Sequence, residues 1–568
     1  MRRWFDKCNH AHRVCTPKGL FAPKRLIDVS IGDGSLDVRL VEFADVATTP
    51  GGSGPRPPYA TLSHRWRPNS LLKTLQSNLP KHKSRISYDS LGPTFADAVT
   101  CVRYIGLRYI WIDALCIIQD STPDWQDQSA QMGHVYSNGM INIVATASSE
   151  REDEHFLCER PRHVAIPYCI TKGKSLLNGN VCFDTATEEE DEPATWNSLL
   201  RRGWIAQERL LAPRTITFGA KTLLWECREA TFNEREFLCP GQGPLYRGYA
   251  GEYYGFITQD QNSTLASLLA FDAQEVPDEE HRNACYTYWR RVLAGYTKAE
   301  LTFSNDRLIA IGGIAGLLAP NLGDDYIAGV WSGDTVRSLL WMSLGRLIEG
   351  PTWSWGSYNG QIRFPLDEID GLSGEWQVQL QEHFTVCHTA VELSGPSRYG
   401  PVSSGVLELN CIVHEVLYDA IKPGLSSTRP YAGYKITGKH SAHCGQEEAC
   451  SMKSLMCNAQ FTYGWRDDLH QTSTEQSHRL PNGRLLKDEP ATALFVLPVA
   501  SWDDAEAYPP SNHWNQSNIM RPRSHVVCLL LTPVEHCIDT YQRLPELCFL
   551  LLQGFDWKLY PRRNIKII

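Results

Sequence analysis

A chain of 568 residues, 42% of them hydrophobic and 21% charged, is globular in character and too long for one ordinary core, so two or three domains are expected. The formal net charge of -9 argues against a general nucleic-acid binder, which would present a basic face. The longest apolar stretches, such as LIAIGGIAGLL (308–318), fall short of the roughly 20 residues that cross a bilayer, so no membrane span is expected.

Residues 1–54 read as an N-terminal arm. No apolar run follows the arginines of MRRWFDKCNH, so no secretory signal is expected. The 18 cysteines show no disulfide-framework spacing, and with that start they point to reduced thiols and a cytoplasmic location. Within the arm, Cys8-x3-His12-x2-Cys15 has the ligand types and spacing for zinc. Only three ligands are local, so His10 or a distant cysteine such as Cys158 would have to be the fourth; the alternative is an ordinary thiol-bearing helix.

The loop TTPGGSGPRPP (48–58) leads into a first strand, YATLSH (59–64). A helix follows, with Thr94 as its cap, Asp97 three residues on, Phe95, Val99 and Val102 on one face, and Gly106 as its stop. YIWIDALCI (109–117) has little alternation, as expected of a second strand covered on both faces. A second helix starts near Asp124, carries Trp125, Ser129, Met132 and Tyr136 in phase, and stops at Asn138-Gly139. MINIVATAS (140–148) is the third strand. Strand, helix, strand, helix, strand predicts an α/β domain with a parallel sheet, spanning about 55–235. Ligands bind beyond the carboxyl ends of such strands, where Ser63 and His64 end the first and Asp113 and Cys116 the second.

The acidic run EEEDE (188–192) reads as a solvated loop. TWNSLLRRGWIAQERLLAPRTITFG gives a helix stopped near Pro213 and then a strand, with which TLLWECRE (222–229) pairs. A helical segment (236–350) includes YWRRVLAGYTKAELT and NDRLIAIGGIAGLLA. A β-rich C-terminal region (351–568) opens at PTWSWGSYNG and includes GVLELNCIVHEVLY and SHVVCLLLTPVEH. Neither a Walker-type phosphate loop nor a G-x-S-x-G elbow occurs, and IGGIAG (311–316) is a helix-packing signal. His440, His443, Cys444, Cys450 and Cys457 cluster without a Cys-x2-Cys knuckle and make only a weak metal candidate.

Taken in order, YATLSHRW, GPTFADAVTCVRYIGLRYIWIDALCIIQD, DWQDQSAQMGHVYSNG and RRGWIAQERLLAPRTITFG resemble the fungal heterokaryon-incompatibility (HET) domain family over roughly residues 55–230. The resemblance implies an intracellular protein of non-self recognition and programmed cell death, working through protein partners in signalling or a small-molecule ligand. It also implies a remote likeness to TIR domains, many of which cleave NAD, so an NAD-like nucleotide is the candidate ligand. This chain departs from the family where Leu62-Ser63-His64-Arg65-Trp66-Arg67 replaces the frequent Leu-Ser-Tyr-Cys-Trp-Gly, and where Gln128 stands in place of a frequent glutamate. A neutral amide cannot take a proton, so weak or absent NAD cleavage is expected unless Asp127 turns to replace it.

The candidate chemistry has two readings at each position. Asp113 either holds a ribose hydroxyl or orients a cation, or it is a buried structural carboxylate that accepts backbone N–H bonds or pairs with an arginine such as Arg108 or Arg202. Cys116 is either a nucleophile with His64 as its base or an inert buried thiol. Trp204, Gln207, Glu208 and Leu211 share one helical face. There Glu208 is a candidate base or hydroxyl ligand and Arg202 a phosphate ligand, with Arg65, Gln128, Gln207 and Arg214 as further ligand-binding candidates. The alternative for this cluster is an inter-element salt-bridge network. Two rival functions accompany incompatibility signalling: a metabolic enzyme acting on a small molecule, as in secondary-metabolite biosynthesis, and a non-catalytic scaffold.

Overall fold

The computed structural model describes residues 1–17, 21–43, 57–66, 72–150, 155–157, 164–172, 175–183, 199–219, 222–234, 265, 267–268, 277–343, 345–367, 380–419, 434–438, 457–459, 493–503, 524–534, 536–552 and 561–568. EEEDE, Arg67, Cys158 and four of the five residues of the His440–Cys457 cluster lie outside them; Cys457 alone is described, on a strand. The chain forms two compact units, one of residues 1–323 with 395–400, the other of 324–394 with 401–568.

In the first unit, α1 (Arg2–Ala11) precedes β1 (Arg25–Asp28), β2 (Arg39–Glu42) and β3 (Tyr59–Ser63). Then come α2 (Leu79–Ser84), α3 (Pro93–Ile105), β4 (Tyr109–Trp111), α4 (Asp113–Cys116), α5 (Thr122–Asn138), β5 (Ile141–Val144) and α6 (Thr146–Glu150). A hairpin of β6 (Val164–Lys172) and β7 (Ser175–Phe183) stands as a separate two-stranded sheet. The unit continues with α7 (Ile205–Leu211), β8 (Arg214–Phe218), β9 (Leu223–Cys227), β10 (Thr231–Asn233), α8 (Glu279–Tyr296) and α9 (Ile309–Leu322).

The eight-stranded sheet runs β10-β9-β8-β5-β3-β4-β1-β2. Its four central strands are parallel, β8 to β5 to β3 to β4, while the outer pairs are antiparallel. The sheet is therefore mixed, and the expected parallel pattern holds at its centre. Every residue of β3, β5 and β8 is buried, as continuous apolar strands covered on both faces should be.

Several local expectations need correction. Thr94 does not cap α3: Gly92 stands at the cap with φ 72°, and Pro93 fills the first turn. Asp97 instead accepts from the backbone N–H groups of Phe156 (2.8 Å) and Leu157 (2.9 Å). The second strand stops at Trp111, and Asp113–Cys116 is a single helical turn, so Asp113 opens that turn rather than lying within a strand. The second helix begins at Thr122, two residues before Asp124, capped by the Ser121 side chain. The third strand ends at Val144. The stop signals at Gly106 and Asn138-Gly139 are observed, and so is the β8–β9 pairing.

Glycines explain the helix packing. A Cβ on Gly133 of α5 would lie 2.6 Å from the Gly313 Cα of α9, so the two backbones touch where no side chain fits. The Gly313 N–H donates to Gln207 Oε1 at 2.7 Å, which pins α7 to the same junction. IGGIAG is thus a packing motif.

The second unit is β-rich. Its ten-stranded sheet is antiparallel apart from the pairing of Thr540–Leu552 with Arg563–Ile567. Val402–Cys411 shows the alternating burial its sequence suggests. Arg543 is fully buried, its guanidinium 3.6 Å from the centre of the Trp341 ring and donating to Trp341 O at 2.6 Å.

In the first unit, Arg25 of β1 is 1% exposed; its Nε donates to Cys116 O at 2.6 Å and its Nη2 pairs with Asp124. Asp124 also accepts from the Ile118 N–H at 2.9 Å, so one carboxylate ties an outer strand to the start of α5. Removing it leaves the buried guanidinium with only a looser ion pair, to Glu42 at 3.8 Å. Asp124→Ala should cost about 3–5 kcal/mol in urea unfolding, and Arg25→Met combined with Asp124→Ala should cost less than the two single changes summed. Additive costs would mean the pair is not coupled.

Candidate active site

At the carboxyl ends of the central parallel strands and, for Asn142, within them, five elements contribute polar side chains. β3 delivers Ser63 and, just past it, His64. The turn after β4 delivers Asp113, β5 delivers Asn142, α5 delivers Tyr136, and α7 delivers Glu208.

Asn142 is fully buried in the sheet. Its Oδ1 accepts from Thr61 Oγ1 (3.0 Å), and its Nδ2 donates to Ser63 Oγ (3.0 Å) and to the Glu208 carbonyl (3.3 Å). One amide therefore registers β3 and α7 on β5.

Asp113 keeps a side-chain exposure of 21% and is oriented by donors on both oxygens. Trp66 Nε1 donates to Oδ2 and the Ala114 N–H to Oδ1, each at 2.7 Å. His64 Nδ1 lies 3.6 Å from Oδ1, beyond a good hydrogen bond. Arg108 does not pair with Asp113; it clasps Asp28 through Nε (2.9 Å) and Nη2 (3.0 Å). Arg202 donates from Nη1 to the His64 carbonyl at 2.6 Å.

His64 is buried with its ring edge-on to Phe95, centroids 5.1 Å apart, and neither ring nitrogen has a hydrogen-bond partner. Burial lowers its pKa, with Arg202 adding to the effect and Asp113 opposing it. The ring is thus neutral near pH 7, with one unused donor and one unused acceptor.

Glu208, 6% exposed, is the distinctive group. Burial pushes its pKa up to about 7, assisted by the Asp113 charge and opposed by Arg202 and by hydrogen bonds from Ser63 and Tyr136. Tyr136 is itself held neutral, mainly by burial. The site therefore combines a carboxyl group able to give or take a proton near neutrality, an oriented carboxylate, a neutral imidazole with both nitrogens unspent, two hydroxyls and a guanidinium.

The other predicted residues are placed elsewhere or differently. Cys116 is wholly buried, and burial raises its thiol to about 12, the opposite of what an activated nucleophile needs. Gln128 is buried and donates to Asp127 Oδ2 at 2.8 Å. Asp127, with a side-chain exposure of 49%, also accepts from Gln131 and lies 4.0 Å from Lys24; it does not replace a glutamate at position 128. Gln207 serves the α9 junction, although its Nε2 is buried without a partner. Arg65 is exposed. Arg214 opens β8 and donates to Cys8 Sγ (3.1 Å), Asn9 Oδ1 (3.2 Å) and Met140 O (3.2 Å), a setting separate from Glu208.

Cys8, His12 and Cys15 do come together, joined by Cys227 from the end of β9. His10 is exposed, with Nδ1 2.6 Å from Asp6 O, and takes no part. Sequence reasoning missed Tyr136, Asn142, Trp66 and Cys227 as site residues. Tyr136 carried only a core-phase signal, and Asn142 only the oddity of an amide within INIV.

The family model described as heterokaryon incompatibility protein (HET) matches residues 59–208. No curated protein and no solved structure matches the chain. The matched segment runs from the first residue of β3 to Glu208 and contains Ser63, His64, Asp113, Tyr136, Asn142 and Arg202. This chain carries, over residues 59–208, a domain of the heterokaryon-incompatibility (HET) family.

Proposed function

We propose that the protein acts in non-self recognition and the cell death that follows it. In this reading its HET domain binds and processes a small, hydroxyl-rich, nucleotide-like molecule at the Ser63–His64–Asp113–Glu208 site. A HET domain over residues 59–208 suggests a heterokaryon-incompatibility-related function in general. The observation that carries the finer reading is Glu208, a carboxyl group buried beside two hydroxyls and Asp113 and brought to a pKa of about 7.

A ribosyl ligand gives each group a task. Ionised Glu208 would accept a ribose hydroxyl and face the positive charge that develops when a glycosidic bond breaks. Asp113 would hold a second hydroxyl, and the unspent nitrogens of His64 would donate to one oxygen and accept from another. Arg202 would balance a phosphate. Gln128 supplies no charge, so turnover is expected to be slow and to rest on Glu208.

NAD is the first probe. Wild-type turnover, followed by nicotinamide release, should rise with pH through about 7 as Glu208 ionises. Glu208→Gln should lower it by about 10²–10³. Absence of NAD turnover, together with no small molecule that co-purifies with wild type and is lost in Glu208→Gln, would favour the scaffold reading.

The same carboxyl group makes a stability prediction. Its folded pKa of about 7 lies above the ordinary value of 4.5, so the folded state binds the extra proton between those limits and stability falls as pH rises through them. Glu208→Gln should therefore be more stable than wild type at pH 8, by up to about 3 kcal/mol. The difference should vanish near pH 4.5. Equal melting temperatures at both pH values would mean that Glu208 ionises as freely as in water.

A further inference from the structure

Outside the active site, the first 15 residues and the end of β9 meet at a cluster of soft ligands. The ligand atoms of Cys8, His12, Cys15 and Cys227 all lie within 4.8 Å of one another; the three cysteines are buried and His12 is partly so. Local structure explains the convergence. Cys8 and Phe5 lie on the buried face of α1, the helix ends at Ala11, and the following turn brings Cys15 back toward it. Cys227 arrives 215 residues after His12, as the last residue of β9, with its Sγ 3.4 Å from His12 Nδ1.

Three thiols and an imidazole have little reason to converge at one buried point. Thiols are weak hydrogen-bond donors, and a disulfide would engage only two of the three while stranding the third. A tetrahedral metal satisfies all four. Bond lengths of about 2.3 Å to sulfur and 2.0–2.1 Å to nitrogen put neighbouring ligand atoms roughly 3.5–3.8 Å apart, inside the 4.8 Å limit observed and near the 3.4 Å between Cys227 Sγ and His12 Nδ1. Soft thiolates with one imidazole select zinc over the hard cations. Three thiolates around a divalent ion leave one negative charge, and cations are in place to balance it. Arg214 Nε donates to Cys8 Sγ at 3.1 Å, and Arg228, next to Cys227, bonds the Val14 carbonyl at 3.1 Å between His12 and Cys15.

We propose that Cys8, His12, Cys15 and Cys227 bind one structural zinc ion that fastens the N-terminal helix to the β9 end of the sheet. All four positions are protein ligands, so none is left open for substrate, and the role is structural. The proposal is independent of the function assigned to Glu208.

Elemental analysis of the full-length protein, purified without metal-chelating resin from zinc-supplemented cells, should find close to one zinc per chain. Cys227→Ser should hold close to none. Cobalt exchanged into wild type should show a thiolate-to-cobalt charge-transfer band and tetrahedral ligand-field bands. Alkylation of Cys8, Cys15 and Cys227, read by mass spectrometry, should be slow until a strong chelator is added and fast afterwards, with a fall in melting temperature. These last two measurements use wild type and decide the matter even where the variant fails to fold. Three results would each overturn the site: zinc-free wild type without a cobalt–thiolate band, zinc fully retained in both Cys8→Ser and Cys227→Ser, or a disulfide between any two of the three cysteines.

Discussion

A single buried amide sets the geometry on which the candidate site depends. Asn142 stands in the middle of the central strands with no exposure, where an unpaired polar group would be costly, so it must find partners. It finds them on β3, at Thr61 and Ser63, and on α7, at the Glu208 carbonyl. Ser63 Oγ lies within hydrogen-bond reach of both ends of the Asn142 amide, Nδ2 at 3.0 Å and Oδ1 at 3.2 Å, and its hydroxyl also bonds the Glu208 carboxyl group. A group that looks like a flaw in a hydrophobic strand therefore fixes the relative positions of a hydroxyl and a carboxyl group drawn from distant parts of the chain.

Comparison among the buried carboxylates shows why Glu208 stands apart. Asp28 is held by Arg108, Arg39 and the Ser30 N–H, and Asp124 by Arg25, Lys24 and the Ile118 N–H. In both, burial raises the pKa but the paired charges and backbone donors outweigh it, and the carboxyl group stays ionised. Glu226 takes two bonds of 2.8 Å from Arg209. Glu208 has hydroxyls for neighbours, while Arg202 spends its bond on the His64 carbonyl. Desolvation prevails there, as it does for His64. Asp28, Asp124 and Glu226 are each paired with a guanidinium group and Asp97 is held by backbone N–H groups, whereas Glu208 has hydroxyls for neighbours and lies where the strands end.

What was legible in the sequence follows from the range of the forces involved. The parallel centre, α3, α5, α7 and the β8–β9 hairpin announce themselves through local periodicity and glycine stops. Asp113 was recognisable as the odd residue in an apolar run. The single turn that carries it, Asp113–Cys116, is too short for a helical period to register, so the run looked like one long strand. β1 and β2 hid inside an apparent arm because four-residue outer strands offer few alternations, and their reason for existing is the Asp28 and Arg25 pairing made elsewhere. Spacing rules reach a turn or two along the chain. They found Cys8, His12 and Cys15, and could not reach Cys227.

The glycine contact between α5 and α9 bears on what counts as a unit of inheritance and what counts as a unit of folding. The family's shared stretch closes at Glu208. Yet the preceding residue, Gln207, is secured by the Gly313 N–H of α9, and β8, which pairs with β5 at the sheet's centre, begins only at Arg214. Both β1 and β2 precede the stretch. A protein that borrowed residues 59–208 alone would acquire the polar residues of the candidate site without the scaffold that seats their helix. In this chain the matched stretch is seated by strands and a small-residue helix face that lie outside it. The portable recipe is shorter than the object that can stand by itself.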